Sequence, residues 1–217
     1  MPFINSANIA CGYHAGDETT MNTVVQLCLQ HGVNIGAHPS FRDKANFGRT
    51  AMQLSLVEIY TLVTEQLQLL DAITKKNGGN MHHVKPHGAL YNMAAKNAGI
   101  AKSIAKAVKD FDPSLVYYGL SGSVMIAMAA DAGLACAHEV FADRTYLEDG
   151  SLTPRSATNA LITCVDEMLL QATALAKENK VITVTGKKIN LKADTICIHG
   201  DGEHAPEFAK ILHQHLQ

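Results

Sequence analysis

The sequence predicts an α/β fold on a parallel sheet, with a β/α barrel preferred to an open sheet. Three observations lead there. Short apolar runs alternate with segments of helical period almost throughout, the pattern of repeated β-then-α units. Five of the eleven histidines (His14, His38, His87, His138 and His199) fall at or just after the ends of strand-like runs. In parallel folds the chemistry collects at the carboxyl ends of strands, and a barrel brings those ends together where an open sheet spreads them. Finally, two long polar loops, 40–53 and 139–154, interrupt the alternation, and loops of that length in compact domains are usually functional or mobile.

Taken in order, residues 4–11 read as a strand broken by Gly12 and Gly16. A helix is expected over 18–30, with Met21, Val24, Val25 and Leu29 on one face, Asp17 as its cap and Gly32 as its stop. Residues 33–37 form a short buried strand running into His38-Pro39. The helix after the first polar loop starts at Ser55, where Ser55 and Glu58 make a capping-box pattern, and ends before Asn77-Gly78-Gly79. Residues 81–84 are the next strand and 94–109 a helix. Strand 115–118, helix 121–132 and strand 134–138 follow. A helix over 157–178, a small hairpin around Gly186, a strand over 195–198 and a closing helix over 206–216 complete the chain. No linker or internal repeat divides it, so one domain over 1–217 is expected.

The 217 residues are 47% hydrophobic and 18% charged, enough apolar material for a sizeable core. A net charge of -2 provides no electrostatic footprint for nucleic acid or an anionic membrane surface. No apolar stretch approaches a bilayer span, and the N-terminus lacks the basic and apolar segments of a secretory signal, so a cytoplasmic protein is expected. The five cysteines are scattered without a C-x-x-C pair, which reads as reduced thiols. Cys11 and Cys197, near strand ends, are candidate reactive thiols, although small buried hydrophobe is the commoner role.

The chemistry-bearing stretch is Val84-Lys85-Pro86-His87-Gly88-Ala89-Leu90-Tyr91-Asn92. Pro86 keeps Lys85 extended, and Gly88 leaves the backbone beside His87 bare for close approach. Lys85 and His87, two residues apart on an extended backbone, point to one side. His14 and Asp17 sit in a second strand-end loop flanked by Gly12 and Gly16, and Cys197-Ile198-His199-Gly200-Asp201 has the same shape. Asp143-Arg144 places a carboxylate beside a guanidinium that would grip an anion if aimed into a pocket. Imidazoles with a carboxylate suit a zinc-like ion, with His14 and His38 as candidate ligands. No H-x-x-x-H or H-E-x-x-H spacing supports that, and acid–base roles fit the same residues. Neither a Walker A sequence nor G-x-G-x-x-G occurs, so any ATP used would bind elsewhere.

Six ordered segments together resemble the LamB/YcsF family, known as the A component of bacterial ATP-dependent 5-oxoprolinase. They are Ser6 to Asp17, Ile35-Gly36-Ala37-His38-Pro39-Ser40, Asn46-Phe47-Gly48-Arg49, His83 to Asn92, Glu139 to Tyr146, and His199-Gly200-Asp201. The resemblance implies a seven-stranded β/α barrel similar to the glycoside hydrolase/deacetylase superfamily. It also implies opening of the 5-oxoproline (pyroglutamate) lactam to L-glutamate. Subunits B and C would be the partners, and ATP would be bound by them. Two features depart from the family pattern. A first strand with an acidic D-L-N-x-D-x-G-E type motif is expected upstream of the segment matching Met1, so the barrel should lack its first strand and expose an edge open to a homo-oligomer contact. Arg42 stands where the family often has proline.

On this reading His14, Lys85, His87, Asp143 and Arg144 are the candidate catalytic residues, with His87 or His14 as general base and Lys85 or Arg144 as the cation facing the oxygens. Asn8, Asp17, His38, Arg49, Tyr91, His199 and Asp201 are the candidate substrate-binding residues. A metal-dependent deacetylase or amidohydrolase is the alternative enzyme, and a non-catalytic ligand-binding assembly subunit the alternative outside catalysis.

Overall fold

The computed structural model describes residues 1–200, 202 and 205–216, and the fold divides into two compact units. The first comprises Met1–Gly119 with Val124–Cys136, the second Leu120–Ser123 with Ala137–Gln217.

The first unit carries four strands, β1 (Ser6–Ala10), β2 (Asn34–His38), β3 (Met81–Val84) and β4 (Val116–Leu120), paired in that order and all parallel. Helix α1 (Glu18–His31) joins β1 to β2. Asp17 caps it by accepting from the Thr20 N–H at 2.7 Å, and Gly32 closes it in the left-handed conformation. Helix α2 (Leu56–Lys76) opens on the capping box at Ser55 and Glu58 and buries a stripe through Ile59, Val63, Leu67 and Leu70. Such a cap contributes about 1 kcal/mol.

After β3 the chain makes two helices where the sequence predicts one starting at Ala94. Helix α3 (Gly88–Ala94) ends early, and α4 (Ala98–Phe111) starts afresh because Asn97 turns its side chain onto the Ile100 N–H. An asparagine that caps cannot also continue a helix, so the chain breaks there. Helix α5 (Val124–Asp131) starts three residues later than the sequence suggests.

The second unit pairs β5 (Cys136–Phe141) with β8 (Thr195–Cys197) in parallel and carries the expected hairpin, β6 (Lys180–Ile182) against β7 (Lys188–Asn190). Strand β5 runs three residues past the expected end at His138. Helix α6 (Val165–Glu178) and helix α7 (Ala205–Leu216) share a core of Met168, Ala172, Phe208 and Leu212. The expected helix over 157–164 is absent. Arg144 Nε donates to the Ala160 carbonyl, the Thr145 hydroxyl donates to the Asn159 carbonyl, and Arg144 bridges Leu161. Carbonyls recruited by side chains are lost to a helical ladder.

Among the described residues six strands lie in parallel pairings, four in the first unit and two in the second. No helix among the described residues is long and apolar enough to cross a membrane.

One steric detail fixes the inner layer of the first unit. Gly36 on β2 stands in register between Asn8 on β1 and His83 on β3. His83 Nε2 reaches over it to donate to Asn8 Oδ1 at 3.1 Å, and its ring stacks on Tyr118 at 4.1 Å. A Cβ at Gly36 would lie 2.0 Å from His83 Nε2. Gly36→Ala should therefore cost about 1–3 kcal/mol through overpacking. The check is a lowered urea midpoint at unchanged m value; a midpoint equal to the parent's would mean the His83 ring gives way freely.

Candidate active site

Three histidines from separate strand ends meet in the first unit. His14 follows β1, His38 ends β2, and His87 follows β3 on an extended backbone, with φ -112° and ψ 152°. The rings of His14 and His87 stack at 4.0 Å, 10° from parallel, and the ring of His38 meets that of His87 edge-on at 4.7 Å. One nitrogen from each lies within 4.8 Å of the others.

Backbone carbonyls orient two of these rings. His38 Nδ1–H donates to the Lys85 carbonyl at 2.6 Å, and His87 Nε2–H donates to the Phe47 carbonyl at 2.9 Å. A carbonyl only accepts, so each contact fixes which nitrogen holds the proton. His87 Nδ1 and His38 Nε2 then face each other at 2.9 Å. His14 Nδ1 is buried and without a hydrogen-bond partner, a costly state for a polar atom.

The first polar loop closes over this cluster. Asp43 organises it by accepting from the backbone N–H groups of Asn46 and Thr50 and from the Asn46 amide. Burial raises the Asp43 carboxyl, but those hydrogen bonds outweigh it and leave it below its ordinary range. The loop then passes through Phe47 and Gly48, both at positive φ (56° and 68°). This conformation aims the Phe47 carbonyl at His87 and sets the Phe47 ring edge-on to both His14 and His87. Gly48 has to be bare: a Cβ there would lie 2.1 Å from Ser40 Oγ and 2.9 Å from the Cβ of His14. Gly88, at φ +57°, makes the matching approach, with the site of a Cβ 2.3 Å from the Gly48 carbonyl oxygen.

The electrostatics follow from burial. His14 is held down to about 3 by burial, then by His87 and Arg49, and His38 lies well below its ordinary range for burial first and the Lys85 charge second. Both are neutral imidazoles at neutral pH. Lys85 is buried beside them, its ammonium 5.9 Å from the centre of the buried Tyr91 ring. Cys11, fully buried, is pushed up to about 12 by desolvation, so it is an inert core thiol and not a nucleophile. Cys197 is buried as well.

The other candidates take different places. Asn8 is tied to His83, exposed Asp17 serves as the α1 cap, and exposed Arg49 sits 5.0 Å from the Phe47 ring. In the second unit Asp143 accepts from both the backbone N–H of His199 (3.0 Å) and its Nδ1 (2.9 Å). Burial raises the Asp143 carboxyl, yet the His199 hydrogen bonds and charge bring it below the ordinary value. Arg144 is buried and clamps the second polar loop, donating to the carbonyls of Ala160 (3.1 Å) and Thr153 (2.6 Å). Asp201 lies outside the described residues. Arg42 lies across the Tyr13 ring at 3.7 Å and pairs with Glu65 at 3.0 Å, an exposed arrangement.

Sequence reasoning passes over His83, which reads as a strand-start residue, and over the backbone of Phe47 and Gly48. The available signal is the spacing His83, Lys85, His87 at i, i+2 and i+4, which puts all three on one side of an extended chain.

Comparison with known proteins adds an independent line. A family model described as the LamB/YcsF family matches residues 1–217. A protein of Geobacillus kaustophilus, named as the A component of 5-oxoprolinase, is 54% identical over all of this chain and 85% of its own length. Its namesake in Oceanobacillus iheyensis is 50% identical over all of this chain and 84% of its length. The crystal structure of the lactam utilization protein from Thermus thermophilus superposes with a TM-score of 0.93 at 42% identity, covering 99% of this chain and 86% of that one.

Two outcomes follow from the geometry. Gly48→Ala should destabilise the protein by about 1–3 kcal/mol and shift the His87 imidazole resonances, because the loop has to lift away from the ring. Unshifted resonances in a folded variant would contradict the close approach. The second concerns acid. His83 is fully buried and held down to about 3, by burial first and then by His82 and Lys85, whereas the unfolded chain takes up that proton near 6.5. Stability is thus complete above pH 6.5 and falls as pH drops from there toward 3, with a slope of up to about 1.4 kcal/mol per pH unit for each such histidine. Urea midpoints measured from about pH 7.5 to 5 should show this slope, and His83→Gln should make it shallower.

Proposed function

The chain belongs to the LamB/YcsF family, and from that premise we propose that it is the lactam-opening component of an ATP-dependent 5-oxoprolinase. The observation that carries the reading is the buried, carbonyl-oriented cluster of His14, His38 and His87 with Lys85 beside it. The names of the relatives and of the solved structure point to the same substrate class.

A lactam carbon is a poor electrophile. Phosphorylation of its oxygen by ATP makes the carbon attackable by water. The ring C–N bond then breaks, the nitrogen leaves as the α-amino group of glutamate, and a second water releases phosphate from the acyl phosphate. The imidazole cluster handles the water and its protons, and the Lys85 ammonium offsets negative charge developing on the oxygens. Neither His14, with its depressed pKa, nor His87, whose Nδ1 is hemmed in by the Nε2 of His38 at 2.9 Å, is an unencumbered base. The cluster therefore acts as a unit. The letter in the relatives' names presupposes further subunits. We assign ATP binding to those partners, subunits B and C, since this sequence carries no phosphate-loop signature. A cytoplasmic location fits ATP-coupled metabolism of this kind.

The test is glutamate formation from 5-oxoproline by this protein with subunits B, C and ATP. His87→Ala should lower turnover about 100-fold or more, and Lys85→Met should lower it while leaving the circular dichroism spectrum unchanged. Undiminished glutamate formation by B and C alone would remove the chain from the chemistry. Full turnover by folded His87→Ala would remove the cluster from it.

A further inference from the structure

We propose that His14, His38 and His87 bind one divalent metal ion of the zinc class. The argument rests on counting protons and lone pairs. His38 Nδ1 has its proton on the Lys85 carbonyl and His87 Nε2 has its proton on the Phe47 carbonyl. In neutral rings this makes His38 Nε2 and His87 Nδ1 the acceptor nitrogens, and they face each other at 2.9 Å. Two acceptors at that distance repel unless a positive species meets both. A third acceptor-capable nitrogen, His14 Nδ1, is buried, lacks any hydrogen-bond partner, and belongs to a residue only 3% exposed. One ring nitrogen from each of the three residues lies within 4.8 Å of the others.

The surroundings have the form expected around ligating imidazoles. Such rings nearly always donate their second N–H to a carbonyl or carboxylate, which sets the tautomer and the ring direction. His38 and His87 both do so, through the backbone. Three neutral nitrogens suit zinc, cobalt or nickel better than magnesium or calcium, which prefer oxygen. Three-ligand sites also leave a position for water, whose proton such an ion makes easy to remove near neutral pH. That would supply the hydroxide which neither His14 nor His87 is well placed to generate alone. The inference deepens the proposed hydrolytic reading but does not depend on it, because binding is measured without turnover.

The experiment uses the purified chain, stripped with chelator and dialysed. Titration with Co²⁺ should give one equivalent of a visible d–d absorption typical of nitrogen ligands, and Zn²⁺ should displace it. His38→Gln and His87→Gln should weaken binding roughly 100-fold or more, while surface His31→Gln binds like the parent. Should a glutamine variant fail to fold, ¹⁵N NMR of the unsubstituted protein's imidazoles gives the second reading. On adding Zn²⁺, His38 Nε2 and His87 Nδ1 should shift as metal-bound nitrogens while their partner nitrogens stay protonated. Absence of stoichiometric binding would overturn the proposal. So would binding that survives both glutamine variants, or NMR showing a proton shared between His38 and His87 that Zn²⁺ does not displace. Lost metal binding with intact glutamate formation would sink this inference alone; the reverse pattern would sink only the proposed reaction.

Discussion

The site depends on two carbonyl groups, those of Lys85 and Phe47. Each takes a proton from one imidazole, and together they decide where every remaining lone pair of His38 and His87 points. Loss of either contact would free a ring to change tautomer, and the facing nitrogens at 2.9 Å would no longer be fixed. The Lys85 carbonyl comes from the end of β3, where Pro86 holds the backbone extended. The Phe47 carbonyl comes from a loop with no regular structure. The first is aimed by the sheet, through the Lys85 N–H donating to the Ala37 carbonyl at 2.9 Å. The second is aimed by two successive left-handed residues and by the Gly48–Gly88 contact.

This division explains what can be read from the sequence. The alternation of elements, the Asp17 and Ser55 caps and the hairpin at Gly186 are local, and local rules find them. The meeting of His14, His38 and His87 is also accessible, because strand-end residues of neighbouring parallel strands share one edge. The role of Phe47 is not, since a backbone carbonyl carries no signature in a side-chain alphabet. Arg144 shows contacts that its sequence neighbours do not announce. Beside Asp143 it reads as an anion-gripping cation, yet its guanidinium holds the carbonyls of Thr153 and Ala160, contacts that only the folded loop reveals. The same contacts remove residues 157–164 from the helix that their composition suggests.

Burial sets the chemical character of the cluster. Imidazoles are ordinarily useful as proton carriers because their pKa lies near neutrality. Desolvation takes His14 and His38 far below that range, so in the first unit they are lone-pair donors before they are bases. Lys85 reinforces the effect on His38, and Arg49 and His87 reinforce it on His14. The polar loop packs Phe47 and Gly48 against His14 and His87, and so shares in setting what kind of chemistry the histidines can do.

The bare Gly36 has a consequence for how this protein can vary. The space above it is filled by a ring from the neighbouring strand, so positions 36 and 83 are two halves of one volume. A methyl at one is tolerable only if atoms are removed at the other. Change at position 36 is thus coupled to the size of the side chain at 83: a lineage that gains a methyl at 36 keeps its packing only where 83 has already become smaller.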